Sequence, residues 1–351
     1  VIPGGQFRVM YEPRGVCLLF GPWNFPFQLV LEPLVPIVAA GNCAMVKPNE
    51  MAPQTSKVTA KVIREAFGEA DVAIFEGGID LANRLLELPI DHVFFTGSPK
   101  VGRTVMAAAA KHLASVTLEL GGKCPAIVDG TYDLAASAAQ IGTWRCYNTG
   151  QLCLSPDQVW IRRDLRDTFL DHLGQALRDA FYVNGTVNKD VLGKIVDERN
   201  FDRVKGYIDD AVRRGAKVVF GGETERADRT IHPTVLVDVP HDAAVMEDEI
   251  FGPVLPVLTY THPDEITDFL QRRGKPLAMY IFSENDKLID QILANSSSGG
   301  VTINGIALHW FEMDMPFGGV NDSGIGRYHG IHGFRELSHE RAIFRQTTQD
   351  K

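Results

Sequence analysis

Short, continuous apolar runs separated by helix-patterned stretches are the strongest constraint in this sequence. Val16-Cys17-Leu18-Leu19-Phe20 has no polar position to turn toward water, so as a strand it must be covered on both faces. Gly21-Pro22-Trp23-Asn24-Phe25-Pro26 stops it, because proline cannot continue a ladder. The pattern then predicts a helix over 27–40, strand 44–46, helix 55–67, strand 72–75, helix 81–88, strand 92–95 and helix 101–112. Strands and helices alternating at this spacing predict an α/β fold with a parallel, doubly wound sheet.

A second α/β unit follows the same logic. Strands are expected at 116–120 and 126–128, a helix at 134–147, a strand at 159–162, and helices at 167–181 and 201–213. Strand 217–220, several strands between 234 and 260, a helix from 264, strand 277–282, helix 287–294 and strand 300–304 complete it. The join is expected at 119–122, where Gly121-Gly122 lets the chain change direction. A chain of 351 residues is also too long for one ordinary core.

Composition narrows the function. The net charge of −9, with no long basic run, argues against nucleic acid as a partner. No apolar run reaches the roughly 20 residues of a membrane span. Five cysteines, with no CxxC pair, predict a reducing, cytoplasmic setting without structural zinc. His329, His332 and His339 lack ligand spacing, so no metal site is expected.

Chemistry concentrates in a few loops. Asn148-Thr149-Gly150-Gln151-Leu152-Cys153-Leu154-Ser155-Pro156 places a cysteine in a turn between a helix and a strand, where a nucleophilic thiol could meet substrate. On its own such a cysteine is more often a small core residue. Glu119 lies inside an apolar strand and must be paired or have its pKa raised, and either state suits a general base. Glu249 is similar, in a more acidic turn. Gly97-Ser98-Pro99-Lys100-Val101-Gly102-Arg103-Thr104 is close to a P-loop but has Arg103 where the phosphate-binding lysine belongs. It remains a strand, glycine turn and helix N-terminus, a generic anion site. Lys47 and Glu50, after another apolar strand, could hydrogen-bond sugar hydroxyls.

Taken in order, Pro22–Pro26, Lys47-Pro48-Asn49-Glu50, Phe95-Thr96-Gly97-Ser98, Leu118-Glu119-Leu120-Gly121-Gly122-Lys123, Gly150-Gln151-Leu152-Cys153, Glu249-Ile250-Phe251-Gly252-Pro253-Val254 and Pro316-Phe317-Gly318-Gly319 resemble the signatures of the aldehyde dehydrogenase superfamily. The ending Ser323-Gly324-Ile325-Gly326-Arg327-Tyr328-His329-Gly330, then Ser338-His339, is similar to the class 3 branch, which acts on fatty and aromatic aldehydes. Relative to that family the chain is expected to lack the N-terminal region, and Leu152 stands where a threonine is common.

The resemblance implies an aldehyde dehydrogenase-like fold. Residues 15–119 would bind NAD(P), 120–322 would carry the thiol, and 1–14 and 323–351 would be oligomerisation or bridging segments. It implies Cys153 as nucleophile, Glu119 as the base that activates water, and the Asn24 amide with the Cys153 N–H as oxyanion donors. Trp23, Lys47, Glu50, Gly97, Ser98, Pro99, Lys100, Val101, Gly102, Leu120, Glu249 and Phe251 would contact the cofactor. The Glu50 carboxylate would repel a 2′-phosphate, which favours NAD over NADP. Phe25, Leu152 and Phe317, with Leu154, Trp310 and Phe311 nearby, would line an entry for an apolar aldehyde. A homodimer is implied, through strands at 6–14 and 335–345. Two rival readings stand beside this one: an inactive nucleotide-binding or interaction module, and a CoA-acylating relative. Glu119 argues against the second, since a hydrolytic base would divert the acyl group to water.

Overall fold

The computed structural model describes residues 5–346. Of the expected oligomerisation segments, residues 1–4 and 347–351 lie outside the described residues. The chain divides into two compact units. The first ends at Glu119 and takes back Met313–Phe317 and the chain from Ile325; the second comprises Leu120–Glu312 and Gly318–Gly324.

The first unit opens with β1 (Gly5–Pro13) and β2 (Val16–Phe20), then α1 (Gln28–Ala39), β3 (Cys43–Lys47), α2 (Pro53–Ala66) and β4 (Val72–Ile74). It continues through α3 (Ile79–Leu86), β5 (His92–Thr96), α4 (Pro99–Ala109) and β6 (Ser115–Glu119). The strands β6-β5-β2-β3-β4 lie side by side and are parallel throughout. Cys17, Leu18, Leu19, Val93 and Phe94 are wholly buried, as strands covered on both faces must be. The chain runs outward from β2 to β4 and then returns to β5 on the other side of β2. That reversal is the place where doubly wound sheets open a crevice at the carboxyl ends of their strands.

The second unit contains β7 (Pro125–Val128), α5 (Leu134–Cys146), β8 (Gln158–Arg162) and α6 (Arg166–Phe181). Two-residue strands β9 (Tyr182–Val183) and β10 (Thr186–Val187) form a small ribbon before α7 (Glu198–Arg213) and β11 (Lys217–Phe220). A second ribbon, β12 (Thr224–Glu225) with β13 (Thr230–Ile231), precedes β14 (Thr234–Val237), α8 (Ala244–Glu247) and β15 (Val254–Tyr260). Then come α9 (Pro263–Gln271), β16 (Ala278–Phe282), α10 (Asp286–Asn295), β17 (Gly300–Ile303) and α11 (Leu308–Phe311). The sheet order is β11-β14-β15-β8-β7-β16-β17, with only β11 antiparallel to its neighbour. Trp160, Phe201, Val204, Ile281 and Ile292 lie in its core.

The chain closes with β18 (Gly324–Ile325), α12 (Gly330–Glu336) and β19 (Ser338–Gln346). β19 pairs antiparallel with β1 along its whole length, from Pro13↔Ser338 to Gly5↔Gln346.

Two expectations are corrected. The several strands expected between 234 and 260 are only β14 and β15. Between them Ala244–Glu247 is helical, and Gly252-Pro253 delays the next strand to Val254. The strand expected over 335–345 begins only at Ser338, because α12 carries the chain to Glu336.

Phe94→Ala should destabilise the protein by about 3–5 kcal/mol, since its ring is buried and packs edge-to-face on Tyr328 at 5.4 Å. Val35→Ala, at a position 68% exposed, should stay within about 0.5 kcal/mol. Urea unfolding checks both; equal shifts would contradict β5 as the centre of this core.

Candidate active site

In the first unit the relevant side chains gather along one sheet edge, because parallel strands end together. Phe20 is in register with Lys47 on one side and Phe95 on the other, and Thr96 is in register with Glu119. The Gly21 N–H donates to the Lys47 carbonyl at 3.0 Å, and the Gly97 N–H to the Glu119 carbonyl at 3.0 Å. The loop after β2, with half-buried Trp23, Asn24 and Phe25, therefore leaves from the middle of the edge.

Lys47, 5% exposed, donates to the Glu50 carboxylate on the following turn. Burial pushes the Glu50 carboxyl up, but the Lys47 hydrogen bond and charge outweigh it and hold the group below its ordinary value. Gly97 and Ser98 lead into α4, whose cap is Ser98: its hydroxyl accepts from the Val101 N–H at 3.4 Å, and Pro99 occupies the first turn. Lys100 and Val101 are exposed there and Gly102 is buried.

Glu119 is 4% exposed, and neither of its carboxyl oxygens has a hydrogen-bond partner. Burial drives its pKa well above the carboxylate range; Arg327 pulls the other way, and the negative charges of Glu336 and Glu32 add to the rise. Phe317 belongs to this unit and is buried, stacked on His329 at 5.3 Å and edge-on to Tyr328 at 5.6 Å. His329 lies 2.8 Å from the Glu32 carboxylate.

In the second unit the chemistry lies at the opposite kind of edge, the amino ends of the strands. Leu120–Cys124 precedes β7, the Cys153 loop precedes β8, and Glu249–Pro253 precedes β15. Leu120 is buried, its N–H donating to the Ser323 carbonyl at 3.0 Å.

Three successive residues before the thiol, Asn148, Thr149 and Gly150, have φ of 48°, 57° and 72°. A left-handed threonine is strained, and the surroundings hold it there. A Cβ on Gly150 would stand 2.3 Å from the Gly252 carbonyl oxygen, so only glycine fits between the two loops. Buried Gln151 donates to the Asn148 and Lys194 carbonyls, both at 3.1 Å, and accepts from the Val196 N–H at 2.9 Å. The carbonyls beyond it are held too. Leu152 accepts from the Ser155 N–H at 3.0 Å, Cys153 from the Cys124 thiol at 3.3 Å, and Leu154 from the Tyr280 hydroxyl at 2.5 Å. Cys153 itself is half-buried. Cys17, Cys124 and Cys146 are buried, and burial pushes each of their thiols up, Cys17 and Cys146 to about 12.

Behind this loop lies a charged cluster that the sequence reading missed. Asp157, 1% exposed, accepts from Arg145 Nη1 at 2.8 Å, from Lys123 Nζ at 2.5 Å and from the Ile250 N–H at 3.2 Å. Arg145 also donates to the Pro156 carbonyl at 3.0 Å and to the Gly252 carbonyl. The available signal was an arginine on a helix face among Ile141, Gly142 and Cys146, with no nearby charge to explain it.

Glu249 lies against Gly121, where a Cβ would stand 2.0 Å from its carboxylate. Burial and then the Asp157 charge push its pKa up to about 8, against the Gly122 N–H hydrogen bond and the charges of Arg145 and Lys123. Phe251 follows with φ of 50°, unusual for a bulky residue. Aromatic rings also gather in this unit. Trp144 lies 5.6 Å from Tyr147 and 6.2 Å from Phe311, which lies 4.8 Å from Trp310. Leu152 is half-buried, whereas Leu154 is 2% exposed and belongs to the core.

A doubly wound sheet with a nucleotide-type crevice, followed by a second α/β unit that presents a pinned cysteine, describes a cofactor-using enzyme. The aldehyde dehydrogenase family model matches residues 3–343. AldX of Bacillus subtilis (strain 168), whose name gives aldehyde dehydrogenase as a provisional assignment, is 49% identical over 348 residues, 99% of this chain and 78% of that protein. Aldehyde dehydrogenase family 3 member A2 of Rattus norvegicus is 42% identical over 334 residues, 95% of this chain and 68% of that protein. The substrate-bound structure of Staphylococcus aureus AldH matches with a TM-score of 0.93 at 38% identity, covering 100% of this chain and 75% of that one.

The chain belongs to the aldehyde dehydrogenase family and is similar to its class 3 members. It is an oxidoreductase that converts an aldehyde to the carboxylic acid with NAD(P), and neither rival reading is favoured.

The residues present fit such a cofactor. An 11-residue helix, α4, opens after Gly97-Ser98 and offers its positive end to a diphosphate. On the other side of β2, Lys47 and Glu50 supply a donor and an acceptor suited to ribose hydroxyls. Among the described residues no helix is long and apolar enough to cross a membrane.

Unfolded, Glu249 titrates near 4.5; folded, near about 8. The stability this group contributes is therefore fully present below the lower value and is lost as pH rises toward the higher one. Glu249→Gln has no such proton, so its melting temperature relative to the unaltered protein should rise between about pH 5 and about pH 8. A difference that stays constant across that range would contradict a Glu249 that the folded protein keeps neutral.

Proposed function

We propose that Cys153 carries the acyl group and that Glu119 frees it. The Cys153 thiolate attacks the aldehyde carbonyl carbon, and the negative charge that develops on oxygen is met by the Asn24 side-chain amide and the Cys153 N–H. One such donor typically contributes about 3 kcal/mol of transition-state stabilisation. When bound, NAD(P) supplies the hydride acceptor that turns the thiohemiacetal on Cys153 into a thioester. Glu119 then takes a proton from water as the water attacks the thioester, and the acid leaves with the thiol restored.

The observation that carries this reading is the contrast among the cysteines. Cys153 alone sits in a loop whose backbone is pinned at successive carbonyls while its side chain stays partly exposed. The state of Glu119 supports its role. A buried carboxyl without partners is costly to hold, and an attacking water gives it one. Its raised pKa makes it a stronger base once ionised.

The cofactor roles follow the two edges. Gly97, Ser98, Pro99, Lys100, Val101 and Gly102 take the diphosphate, Lys47 and Glu50 the adenosine ribose, and Glu249 and Phe251 the nicotinamide ribose and ring. Trp23 and Leu120 complete the contacts. The Glu50 carboxylate, kept ionised by Lys47, favours NAD over NADP. The substrate is an apolar aldehyde. Support comes from half-buried Phe25 and Leu152, from Phe317, and from the Trp144, Tyr147, Trp310 and Phe311 rings.

The protein is a homodimer joined through the β1–β19 ribbon. Phe7 is 83% exposed and Phe344 50% exposed on it, and a lone two-stranded ribbon is marginal in water. Five free thiols fit the cytoplasm.

Cys153→Ser should lower NADH formation from a panel of aldehydes by at least about 10³-fold, while cofactor affinity changes little. Absorbance assays and fluorescence titration check this. Turnover within about tenfold of the unaltered enzyme would remove Cys153 from the role.

A further inference from the structure

We infer that Asp157 couples the thiol loop to the loop carrying Glu249 and Phe251, so that a nicotinamide seated against the second is felt at Cys153. The inference rests on the roles proposed above for those residues.

Asp157 lies four residues beyond Cys153, at the entrance to β8, and its N–H donates to the Cys124 carbonyl at 2.8 Å. Its two carboxylate oxygens collect donors from three stretches of chain: Lys123 ahead of β7, Arg145 at the end of α5, and the Ile250 N–H. Both cations reach onward to the second loop or to α8, which leads into it. Lys123 Nζ donates to the Val245 carbonyl at 2.7 Å and the Asp248 carbonyl at 3.1 Å, and Arg145 Nη2 donates to the Gly252 carbonyl. Arg145 Nη1 also holds the thiol loop directly, through the Ser155 hydroxyl at 3.3 Å and the Pro156 carbonyl at 3.0 Å. Gly150 lets the two loops touch backbone to backbone. A shift of Ile250 or Gly252 therefore disturbs charge-assisted bonds that also hold residues 155–157.

Stability alone is a poor account of this arrangement. Buried ion triads are often no more stabilising than apolar residues of the same shape. This one also leaves Arg145 Nε buried without a partner. What the triad supplies is a fixed relation between two loops, neither of which belongs to a sheet. Burial lowers the Lys123 pKa, with the Asp157 charge acting against the fall, so removing Asp157 would change the charge of the cluster as well as its bonds. Asp157 is thus a positioning residue.

The test is alkylation of Cys153 by iodoacetamide, with and without saturating NAD, the modified cysteine being located by peptide mass spectrometry. In the unaltered enzyme the cofactor should change the rate at Cys153 by at least about fivefold. In Asp157→Asn the ratio should fall to within about twofold, with saturation confirmed by fluorescence titration. Arg145→Lys keeps the cation but cannot reach Asp157, Pro156 and Gly252 at once, so it should behave alike if Asp157→Asn does not fold. A folded variant that keeps the original ratio, or an unaltered enzyme with a ratio of one, would overturn the coupling alone. Alkylation mapped to Cys43 instead of Cys153 would remove the nucleophile assignment, and the coupling with it.

Discussion

Asp157 is almost wholly withdrawn from water and accepts from two cations and a backbone N–H. Removing one partner of such a group is strongly destabilising, because the remaining charges are left buried and unpaired. That asymmetry gives the cluster its hold on geometry. The stretches before β7, β8 and β15 cannot drift apart without breaking it. A thiol in a loop is useful only if the loop has one conformation. Here the conformation comes from bonds to the loop backbone and to residues behind it.

The two units present their functional residues at different sheet edges. The first uses the carboxyl ends of parallel strands, where a helix N-terminus meets a reversal of strand order, the kind of edge at which doubly wound sheets bind ligands. The second uses the amino ends, where each loop arrives before its strand and is fixed by the buried start of that strand. The distinction suits the two tasks. A dinucleotide is bound by helix ends and strand-end loops, whereas an acyl carrier needs a short loop tied down on all sides. Glu119 falls at the last residue of β6, the end of the first unit, so the backbone that carries the proposed base is part of a core strand.

Much of this was legible in the sequence, for physical reasons that differ from place to place. Uninterrupted apolar runs such as Val16–Phe20 announce buried strands, and the proline and glycine loops that follow announce strand ends, so the first sheet and its edge could be read directly. Cys153 and Glu119 were legible as oddities, a thiol in a polar turn and a carboxylate in an apolar strand. The Asp157 cluster was not. Its members stand at Lys123, Arg145 and Asp157, with further acceptors beyond Val245, and no local pattern links residues brought together only by sheet order. The extent of the chain-closing strand was misjudged because α12 ends on charged residues that read equally well as an exposed strand. Phe317 packs against Tyr328 and His329, ring contacts between residues apart in sequence that no local pattern announces.

The central proposal is that Cys153 carries the acyl group and that Glu119 takes the proton from the water that removes it. Rapid mixing of Glu119→Gln enzyme with an aldehyde and NAD, an acid quench and peptide mass spectrometry test it most directly. The expected result is a burst of NADH and, in matching amount, a Cys153 peptide heavier by the acyl group, which persists because hydrolysis is slow. A burst with Cys153 unmodified, or with the acyl mass on another residue, would contradict it.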